Sequence, residues 1–408
     1  MRPARAAGAR TGADGVRGAR LVARVEVRAA AGADPAAPRP GGSSGPSRVL
    51  LVGLDGFPAR IVSPERTPRL WQLAATGGRA AEGGLVAGLP SSTYPGFASL
   101  LTGCTPHRHE VRTTAFRPGA VPGWAGRRSV ATPTLFDACR QAGLRAAAIQ
   151  GDHLLHEVLA TDRAADLRWP PPGPLDPALR LDGKGYPVND EVRPVALRAI
   201  AEPGLRFLFV HLNEPDTFGH LLGPEHPATA VCYAATDALV GELVDALAAD
   251  RERSVVIVVS DHDMEPATTR PPIRLRADPE LAALTVDELA DGGAALLAPA
   301  DGIDPARVAE AARRVDGVAA AGPAGPGVVL VEAQPGRAFG DVQPPGGFHG
   351  GPATARTLAI VGGGHPTARQ IGARIAARPP TLADWAPTIA DLLGLELPTA
   401  DGHSLLDG

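Results

Sequence analysis

Side chains that bind divalent metal ions recur along the chain where a strand is predicted to end or a helix to begin. Three are carboxylates, three are imidazoles and one is a hydroxyl: Asp55, Asp216, Asp261, His220, His262, His349 and Thr93. This mixture of oxygen and nitrogen ligands suits zinc or a similar ion. Two divalent ions would carry enough positive charge to offset three carboxylates and one alkoxide, which would otherwise repel one another. The residues therefore predict a hydrolase with two metal ions, most readily Zn²⁺.

Thr93 is the predicted nucleophile of this hydrolase. A hydroxyl is a poor nucleophile at neutral pH, but a divalent ion lowers the pKa of a bound oxygen by several units. The surrounding segment, LPSSTYPGFASLLTG, places Thr93 at the entrance of a predicted helix. Backbone N–H groups and the helix dipole at such an entrance favour an anionic group such as a phosphoryl group. The alternative interpretation is an ordinary helix N-cap.

Two of the predicted ligands have competing interpretations. Asp55 in LLVGLDG could simply cap the turn after its strand, and His365 in GGGHPT competes with His349 in GGFHGG. The joint presence of the other motifs favours Asp55 as a ligand, and the Phe-His-Gly-Gly context favours His349.

Apolar runs and helical segments alternate along the chain from Arg48 onward. The runs RVLLVGLDG, LRAAAIQG, RFLFVHLNEP, SVVIVVSDHD and TLAIVGGG are typical of strands buried on both faces. Helices are predicted for TPRLWQLAATGG, TPTLFDACRQAG and HPATAVCYAATDALVGELVDALAAD. The alternation predicts an α/β fold with a mostly parallel central sheet and helices on both faces.

In such a sheet, ligands bind beyond the carboxyl ends of the strands. Asp55 ends one predicted strand, Asp261 and His262 end another, and Asp216 follows a third. His220 lies four residues after Asp216, so one helical turn would place both on the same face. The predicted fold therefore brings these residues to one edge of the sheet.

The chain divides into regions of different composition. Residues 1–47 are rich in Ala, Gly, Arg and Pro and are predicted to be a disordered leader. Residues 48–271 and 342–408 are predicted to form the catalytic domain. Between them, residues 272–341 contain GGAALLAPADG, DPARVAEAARRVDGV and GVVLVEAQPG. This strand–helix–strand pattern predicts a small inserted α/β subdomain over one end of the sheet.

Bulk composition restricts the partners and the compartment. A net charge of -4 gives no reason to expect nucleic acid or an anionic membrane as partner, and no apolar run is long enough to span a bilayer. Cys104, Cys139 and Cys232 form no CxxC pair and fit a reducing compartment. The N-terminus lacks the apolar core of a secretory signal. We therefore expect a cytoplasmic protein without a nucleic-acid or membrane partner.

Basic side chains are almost all arginine, and the single lysine is Lys184 in LDGKGYPVNDEV. A solvated loop is the favoured interpretation of this segment, with a substrate-binding loop as the alternative. Arg112 and Arg117 follow the predicted nucleophile helix and could reach an anionic leaving group, but nothing in the sequence singles them out. His107 and His109 are predicted to fix a loop rather than to bind metal, and His211, His226 and His403 are assigned structural or exposed positions. His153 and His156 in GDHLLHE could face one way on a helix, with substrate contact as the less favoured interpretation.

The motifs resemble those of the alkaline phosphatase superfamily and, within it, of the type I phosphodiesterase/nucleotide pyrophosphatase family. The similar segments, from about residue 48 to the C-terminus, are LDGF, TPRLWQLAATGG, PSSTYP, LLTG with the following PHRH, EPDTFGHLLGP, SDHDM, FHGG and DWAPTIADLLGLELPTADGHSLL. The resemblance implies an alkaline phosphatase-like fold, a small-molecule phosphoester substrate and two metal ions. One ion would be held by Asp216, His220 and His349, and the other by Asp55, Thr93, Asp261 and His262.

The resemblance also implies a course for the reaction. Thr93 would attack phosphorus and form a phospho-threonine, which a metal-activated water would then hydrolyse. The paired ions would stabilise the attacking and leaving oxygens.

Three positions depart from the family's pattern. Gly96 stands where the nucleophile motif usually has an Asn that donates to a phosphoryl oxygen. Losing such a donor costs roughly 3–4 kcal/mol of transition-state stabilisation unless another group replaces it. Asp263 and Glu110 stand where Gly is usual, and the sequence offers no reason for either.

Three functions remain open on this scaffold. A phosphodiesterase or nucleotide pyrophosphatase is favoured over a phosphomonoesterase or phosphonate hydrolase, because monoesters carry more negative charge and no Arg or Lys adjoins Thr93 in the sequence. A non-catalytic metal-binding relative is the third, motivated by Gly96. The sequence carries no signal for the leaving group, the native metal or the oligomeric state.

Overall fold

The computed structural model describes residues 45–80, 84–114 and 126–407. Residues 1–44 of the predicted leader and Arg117 lie outside the described residues. The strands are β1 (Arg48–Leu54), β2 (Gly78–Arg79), β3 (Leu85–Val86), β4 (Arg145–Gln150), β5 (Leu167–Trp169), β6 (Leu205–Leu212), β7 (Ser254–Ser260), β8 (Glu265–Pro266), β9 (Thr285–Asp291), β10 (Ala294–Pro299), β11 (Val318–Pro323), β12 (Val329–Ala333), β13 (Gly347–Phe348), β14 (Arg356–Thr357) and β15 (Ala359–Gly363).

The α-helices are α1 (Pro68–Thr76), α2 (Thr93–Thr102), α3 (Pro106–His109), α4 (Leu135–Gln141), α5 (Leu155–Val158), α6 (Thr161–Ala164), α7 (Asn189–Ala201), α8 (Glu214–Leu222), α9 (Pro227–Ala246), α10 (Pro279–Leu284), α11 (Pro305–Ala312), α12 (Pro366–Ala377) and α13 (Trp385–Leu393). Among the described residues, no helix combines the length and the apolar character that a membrane span requires.

A seven-stranded sheet forms the centre of the molecule, in the order β2-β15-β7-β1-β6-β4-β5. Strands β7, β1, β6, β4 and β5 are parallel, whereas β15 is antiparallel to β7 and β2 is antiparallel to β15. The mostly parallel sheet predicted from the sequence is confirmed, with the run TLAIVGGG as an antiparallel exception. Leu54 of β1 pairs with Leu212 of β6 and with Ser260 of β7. The carboxyl ends of these three strands therefore lie level.

Helices cover both faces of the sheet, as predicted. The side chains of β1 alternate between two apolar layers, with Val49 and Leu51 in one layer and Leu50 and Val52 in the other. Helices α2, α4, α12 and α13 complete the first layer, and α1, α7 and α9 complete the second. A strand that is apolar on both faces must be covered on both, which is why the run RVLLVGL specifies a central position.

The segment between β8 and β13 forms a separate four-stranded antiparallel sheet, in the order β11-β12-β10-β9. Helices α10 and α11 pack against it through an apolar cluster that includes Leu281, Val308 and Val331. The sequence predicted β10, α11 and β12 but not the outer strands β9 and β11. Most residues of these two strands, TVDELAD and VAAAGP, are exposed or only partly buried, so they lack a clear apolar pattern. The domain boundaries stay a prediction.

Candidate active site

The seven predicted residues converge beyond the carboxyl ends of β1, β6 and β7. They come from segments that meet there: Asp55 follows β1, Asp216 and His220 lie on α8 after β6, Asp261 and His262 follow β7, Thr93 begins α2, and His349 follows β13. All except His220 are buried. The structure thus brings together the whole set that the sequence singled out, and the role of each as ligand or nucleophile stays a prediction.

One group of ligand atoms surrounds the Thr93 hydroxyl. The Oδ1 atom of Asp55 and the Oδ2 atom of Asp261 each lie 3.2 Å from Nε2 of His262. Thr93 Oγ1 lies 3.3 Å from Asp55 Oδ1 and 3.3 Å from His262 Nε2. The ligand atoms of Asp55, Asp261 and His262 all lie within 4.8 Å of one another, a spacing that can hold a metal ion.

A second group forms around Asp216. The Oδ1 atom of Asp216 lies 3.2 Å from His220 Nε2, 3.7 Å from His349 Nε2 and 3.9 Å from His262 Nε2. The ligand atoms of Asp216, His262 and His349 also lie within 4.8 Å of one another. His262 therefore faces both groups, whereas the resemblance assigned it to one metal ion.

A backbone carbonyl orients each of the three histidines. Nδ1 of His220 donates to Gly347 O at 3.1 Å, and Nδ1 of His262 donates to Asp263 O at 3.0 Å. Nδ1 of His349 donates to Ser91 O at 3.1 Å. With the proton on Nδ1, the lone pair of each neutral imidazole is on Nε2, the atom that faces the carboxylates.

Each site carboxylate has one oxygen held by a neighbour and one turned toward the imidazoles. His211 Nε2 donates to Asp55 Oδ2 at 3.1 Å, Lys184 Nζ donates to Asp216 Oδ2 at 2.7 Å, and the Gly56 N–H donates to Asp261 Oδ1 at 3.3 Å.

The opposite oxygens, Asp216 Oδ1 and Asp261 Oδ2, are buried and accept no hydrogen bond from the described residues. Buried acceptors without a donor are costly, and cations would satisfy them. The carboxylate oxygens and imidazole nitrogens of this site therefore fit divalent metal ions.

The electrostatics of the pocket favour positive charge. Burial and the Asp55 and Asp216 carboxylates hold the pKa of Asp261 well above its ordinary value. Burial opposes protonation of His262, but the Asp261 and Asp55 carboxylates outweigh it and raise the pKa of that imidazole to about 10. Burial and the neighbouring His262 instead hold the pKa of His349 well below its ordinary value. Three carboxylates in one buried pocket attract positive charge, whether as protons or as metal ions.

The helix entrance at Thr93 offers fewer free N–H groups than the sequence suggested. The Tyr94 N–H donates to Thr114 Oγ1 at 3.3 Å, and the Gly96 N–H donates to Ser92 O at 2.9 Å. Proline at position 95 has no N–H. A phosphoryl group at this site would therefore depend more on metal ions and side chains than on the helix terminus.

Gly96 leaves no room for the Asn that is usual in the family's motif. A Cβ atom at this position would lie 2.9 Å from Asp261 Cβ and 3.6 Å from Leu382 Cδ1. Any larger side chain would displace the Asp261 carboxylate. At Gly96, α2 therefore packs too closely against the end of β7 to accommodate an Asn side chain.

The structure also shows the surroundings of Asp263 and Glu110, the two other positions that depart from the family's pattern. Asp263 forms an ion pair with Arg60, and both residues line a cleft of about 1020 Å³ together with Trp71 and Arg356. Among the described residues, none of the seven predicted site residues lines this cleft. Glu110 ends α3 with a φ of 63°, a left-handed conformation that glycine adopts without strain. Gly would therefore be the unstrained residue there.

His211 is a site residue that the sequence assigned to structural or exposed positions. It is buried at the carboxyl end of β6, and its Nδ1 accepts from the Asp152 N–H at 3.3 Å. The proton must therefore be on Nε2, which donates to Asp55. The signal in the sequence was a polar residue inside the apolar run RFLFVHL.

Lys184 also belongs to the site, and the solvated loop predicted for its segment is wrong at this residue. Its ammonium group donates to Asp216 Oδ2, and its side chain is 33% exposed. Burial opposes the charge, but Asp216 and Asp55 outweigh it and raise the pKa of Lys184. A contact between a loop lysine and a helix carboxylate has no local sequence signature.

The inserted segment contributes Asp291, which the sequence did not single out. This buried carboxylate at the end of β9 accepts from Ser92 Oγ at 3.0 Å, Thr113 Oγ1 at 2.8 Å and the Thr114 N–H at 3.1 Å. The following turn donates from the Gly293 N–H to the carbonyl of His349 at 2.7 Å. The small sheet is therefore tied to the residue before Thr93 and to His349.

His365 and His109 belong to neither ligand group. His365 caps α12, and its backbone N–H donates to Ser254 O at the amino end of β7, opposite the site. His109 bonds Ser99 and the Val111 N–H, in keeping with the loop-fixing position predicted for it.

Comparisons with known proteins agree with this arrangement. A family model described as type I phosphodiesterase/nucleotide pyrophosphatase matches residues 49–344. An inactive variant of murine ectonucleotide pyrophosphatase/phosphodiesterase 5 in complex with AMP is similar in structure, with a TM-score of 0.65 and 17% identity over 87% of this chain and 97% of that chain. With the same coverage, a second structure of the murine protein has a TM-score of 0.63 at 18% identity, and the human protein has 0.62 at 17%. These likenesses show a shared alkaline phosphatase-like fold. No curated protein sequence matches the chain.

Proposed function

Because the chain belongs to the type I phosphodiesterase/nucleotide pyrophosphatase family, we propose that it hydrolyses nucleotide-like phosphoesters with Thr93 as nucleophile in a two-metal site. Members of this family hydrolyse phosphoester bonds of small molecules such as nucleotides. The observation that carries the proposal is the position of the Thr93 hydroxyl, 3.3 Å from both Asp55 Oδ1 and His262 Nε2.

Two sets of residues would hold the metal ions. Asp55, Asp261 and His262 lie around Thr93, and Asp216 lies with His220 and His349, with His262 facing both sets. Bound there, divalent ions would polarise the phosphoryl oxygens and lower the pKa of the Thr93 hydroxyl. Zinc is the proposed ion, because three imidazoles among carboxylates suit it.

The side chains would divide the reaction into two displacements. Thr93 Oγ1 loses its proton to solvent and bonds to phosphorus, while the leaving group departs from the opposite side with the electron pair of the broken bond. Water then attacks the phospho-threonine from the side that the leaving group vacated and regenerates the hydroxyl. The buried Asp55, held by His211, keeps one oxygen directed at Thr93 throughout.

The first prediction concerns Thr93→Ala. We expect loss of turnover by at least about a thousandfold, since the nucleophile is gone, with both metal ions retained. Steady-state hydrolysis of bis-p-nitrophenyl phosphate, with elemental analysis of the purified protein, measures both quantities. Thr93→Ser is the matched control and should keep a large share of the activity. Wild-type turnover by Thr93→Ala would exclude Thr93 as the nucleophile.

A phosphomonoesterase or phosphonate hydrolase is the second candidate, and Lys184 is the observation that favours it. The sequence argument against monoesters was the lack of a basic residue next to Thr93, yet Lys184 lies in the site through its contact with Asp216. Comparing p-nitrophenyl phosphate with bis-p-nitrophenyl phosphate separates the two. A strong preference for the monoester would favour the second candidate.

A further inference from the structure

We propose that the cleft lined by Arg60, Trp71, Arg79, Asp263 and Arg356 is an effector site for a small aromatic phosphate monoester, whose binding weakens metal binding at His262. This edge cleft lies at β2 and β15, the two strands at one edge of the central sheet. The effect on metal binding rests on the metal site of the proposed function, whereas binding in the edge cleft does not.

The edge cleft has room for a ligand of nucleotide size and walls of mostly small side chains. Its volume of about 1020 Å³ lies at the upper end of the range for small-molecule sites. Seven of the described residues that line it are alanines. The Trp71 side chain on α1 is 38% exposed, although proteins usually cover most of a tryptophan. The walls therefore offer contact area to an apolar or aromatic group.

Positive charge is in excess in the edge cleft. The charged groups among the described residues that line it are three guanidiniums, of Arg60, Arg79 and Arg356, and the carboxylate of Asp263. Three positive groups and one negative group leave two positive charges. A phosphate monoester carries about 1.5 to 2 negative charges at pH 7, whereas a carboxylate carries one. The charge of the edge cleft therefore matches a phosphate monoester.

Among the described residues, two of the three arginines have no charged partner. The Arg356 guanidinium forms no hydrogen bond or ion pair with another described residue. The Arg79 guanidinium lies 4.7 Å from the centre of the Trp71 ring, and its Nη1 atom donates to Val62 O at 3.4 Å. Both groups keep free donors, and the guanidinium fork binds phosphate oxygens in pairs. A phosphate bound by Arg79 therefore lies beside the Trp71 ring, which an attached aromatic group can contact.

Arg60 and Asp263 connect the edge cleft to the predicted metal site. Arg60 forms an ion pair with Asp263 Oδ2, and the backbone carbonyl of Asp263 accepts from Nδ1 of His262 at 3.0 Å. A phosphate in the edge cleft competes with the Asp263 carboxylate for Arg60. Release of that carboxylate loosens the residue whose carbonyl orients His262, and loosening such a partner lowers metal affinity.

This connection depends on the departure from the family's pattern at position 263. Glycine, the usual residue there, has no carboxylate that could link Arg60 to the segment after β7. Because coupling between two sites is reciprocal, the metal ions should weaken binding of the phosphate by the same factor as the phosphate weakens theirs.

A titration of the zinc-loaded protein with phenylphosphonate tests for the site. This probe resembles an aromatic phosphate monoester but has no ester bond to hydrolyse. We expect a saturable change in tryptophan fluorescence that is lost in Trp71→Phe. Calorimetry should show a Kd at least about tenfold higher in Arg356→Gln. Arg369→Gln is the matched control, because it removes an exposed arginine of α12 that does not line the edge cleft, and it should leave the Kd unchanged.

Two results would overturn the site. The first is the absence of any saturable change in fluorescence. The second is the same change in Trp71→Phe as in the wild type, which would report binding near another of the four tryptophans.

Two further probes test the class of ligand. Inorganic phosphate has the charge without the ring, and benzoate has the ring with a single charge. We expect each to bind about tenfold more weakly than phenylphosphonate. Benzoate binding as tight as that of phenylphosphonate would overturn the assignment to phosphate monoesters. Equally tight binding of inorganic phosphate would overturn the role of the aromatic group.

Zinc affinity measures the connection through Asp263. At saturating phenylphosphonate we expect zinc to bind about 3- to 10-fold more weakly, with Arg356→Gln as the control for direct effects of the probe on zinc. In Asp263→Gly, the probe should bind more tightly and its effect on zinc should disappear. A zinc affinity that the probe does not change would overturn the effector role. A protein that binds no zinc would instead overturn the proposed function, and Trp71 fluorescence would still report binding in the edge cleft.

Discussion

Each of the six predicted carboxylate and imidazole ligands has a partner that fixes its orientation. Backbone carbonyls hold the three histidines, and His211, Lys184 and the Gly56 N–H hold the three carboxylates. Such partners keep the ligand atoms directed at the metal position before an ion binds, which reduces the ordering cost of binding. Two of these partners, His211 and Lys184, are also charged or polar groups that the sequence assigned elsewhere.

His211 is the partner whose removal we expect to weaken metal binding most directly. His211→Leu removes the donor to Asp55 Oδ2, so Asp55 becomes free to rotate away from Thr93. We expect zinc affinity to fall by about 10- to 100-fold, the usual effect of losing such a partner. Competition with a chromophoric chelator measures this affinity. His365→Asn is the control, because Asn can cap α12 and the residue lies at the opposite end of the sheet. An unchanged affinity in His211→Leu would contradict the role given to His211.

At the scale of elements, the small antiparallel sheet contributes to the site as well as to the architecture. Its strand β9 ends at Asp291, which accepts three hydrogen bonds from the segments on either side of α2 and α3. The Gly293 N–H of the next turn holds the carbonyl of His349. The position of Ser92, directly before Thr93, therefore depends on a sheet that folds from a distant part of the chain.

The variant Asp291→Ala should show whether Asp291 positions the Thr93 segment for catalysis or only stabilises the fold. The change leaves the hydroxyls of Ser92 and Thr113 without their buried acceptor, and we expect the free energy of unfolding to fall by roughly 1–3 kcal/mol. We also expect kcat for hydrolysis of bis-p-nitrophenyl phosphate to fall about tenfold with little change in KM, because the Thr93 segment loses its anchor. Asp287→Ala, on the same strand, is the control. A destabilised variant with wild-type kcat would show that Asp291 has a structural role only.

At the scale of the whole molecule, buried histidines make stability depend on pH. His109 is fully buried, and burial lowers its pKa to about 3. Burial likewise lowers the pKa of His156 to about 4. An unfolded histidine has a pKa of about 6.5, so below that pH the unfolded state binds protons that the folded state does not. Each such histidine therefore lowers the free energy of unfolding by about 1.4 kcal/mol per pH unit, from about pH 6.5 down to its folded pKa.

Denaturant titrations at pH 7 and pH 5 measure this effect. Replacing His109 by Gln, which can still bond Ser99, removes one titrating group. We expect the loss of stability between the two pH values to be smaller by about 2 kcal/mol than in the wild type. The exposed His403→Gln serves as control. Equal losses in His109→Gln and wild type would contradict the assignment.

Much of the fold was accessible from the sequence because its signals are local. Continuous apolar runs predicted strands buried on both faces, and the end of each run located Asp55 and Asp261 at the sheet edge. The four-residue spacing of Asp216 and His220 placed both on one helix face, as α8 shows. Edge strands such as β9 and β11 were missed, because half-exposed strands do not need an apolar pattern.

By itself, the sequence determined the type of the seven site residues and the sheet edge where they would meet. Only the tertiary structure decided that His349 rather than His365 lies at that edge, that β15 is antiparallel, and that Lys184 and Asp291 reach the site. Lys184 is separated from Asp216 by 32 residues, and Ser92 from Asp291 by 199. Burial and helical period are properties of neighbouring residues, whereas contacts over such separations depend on how completed turns and sheets pack together.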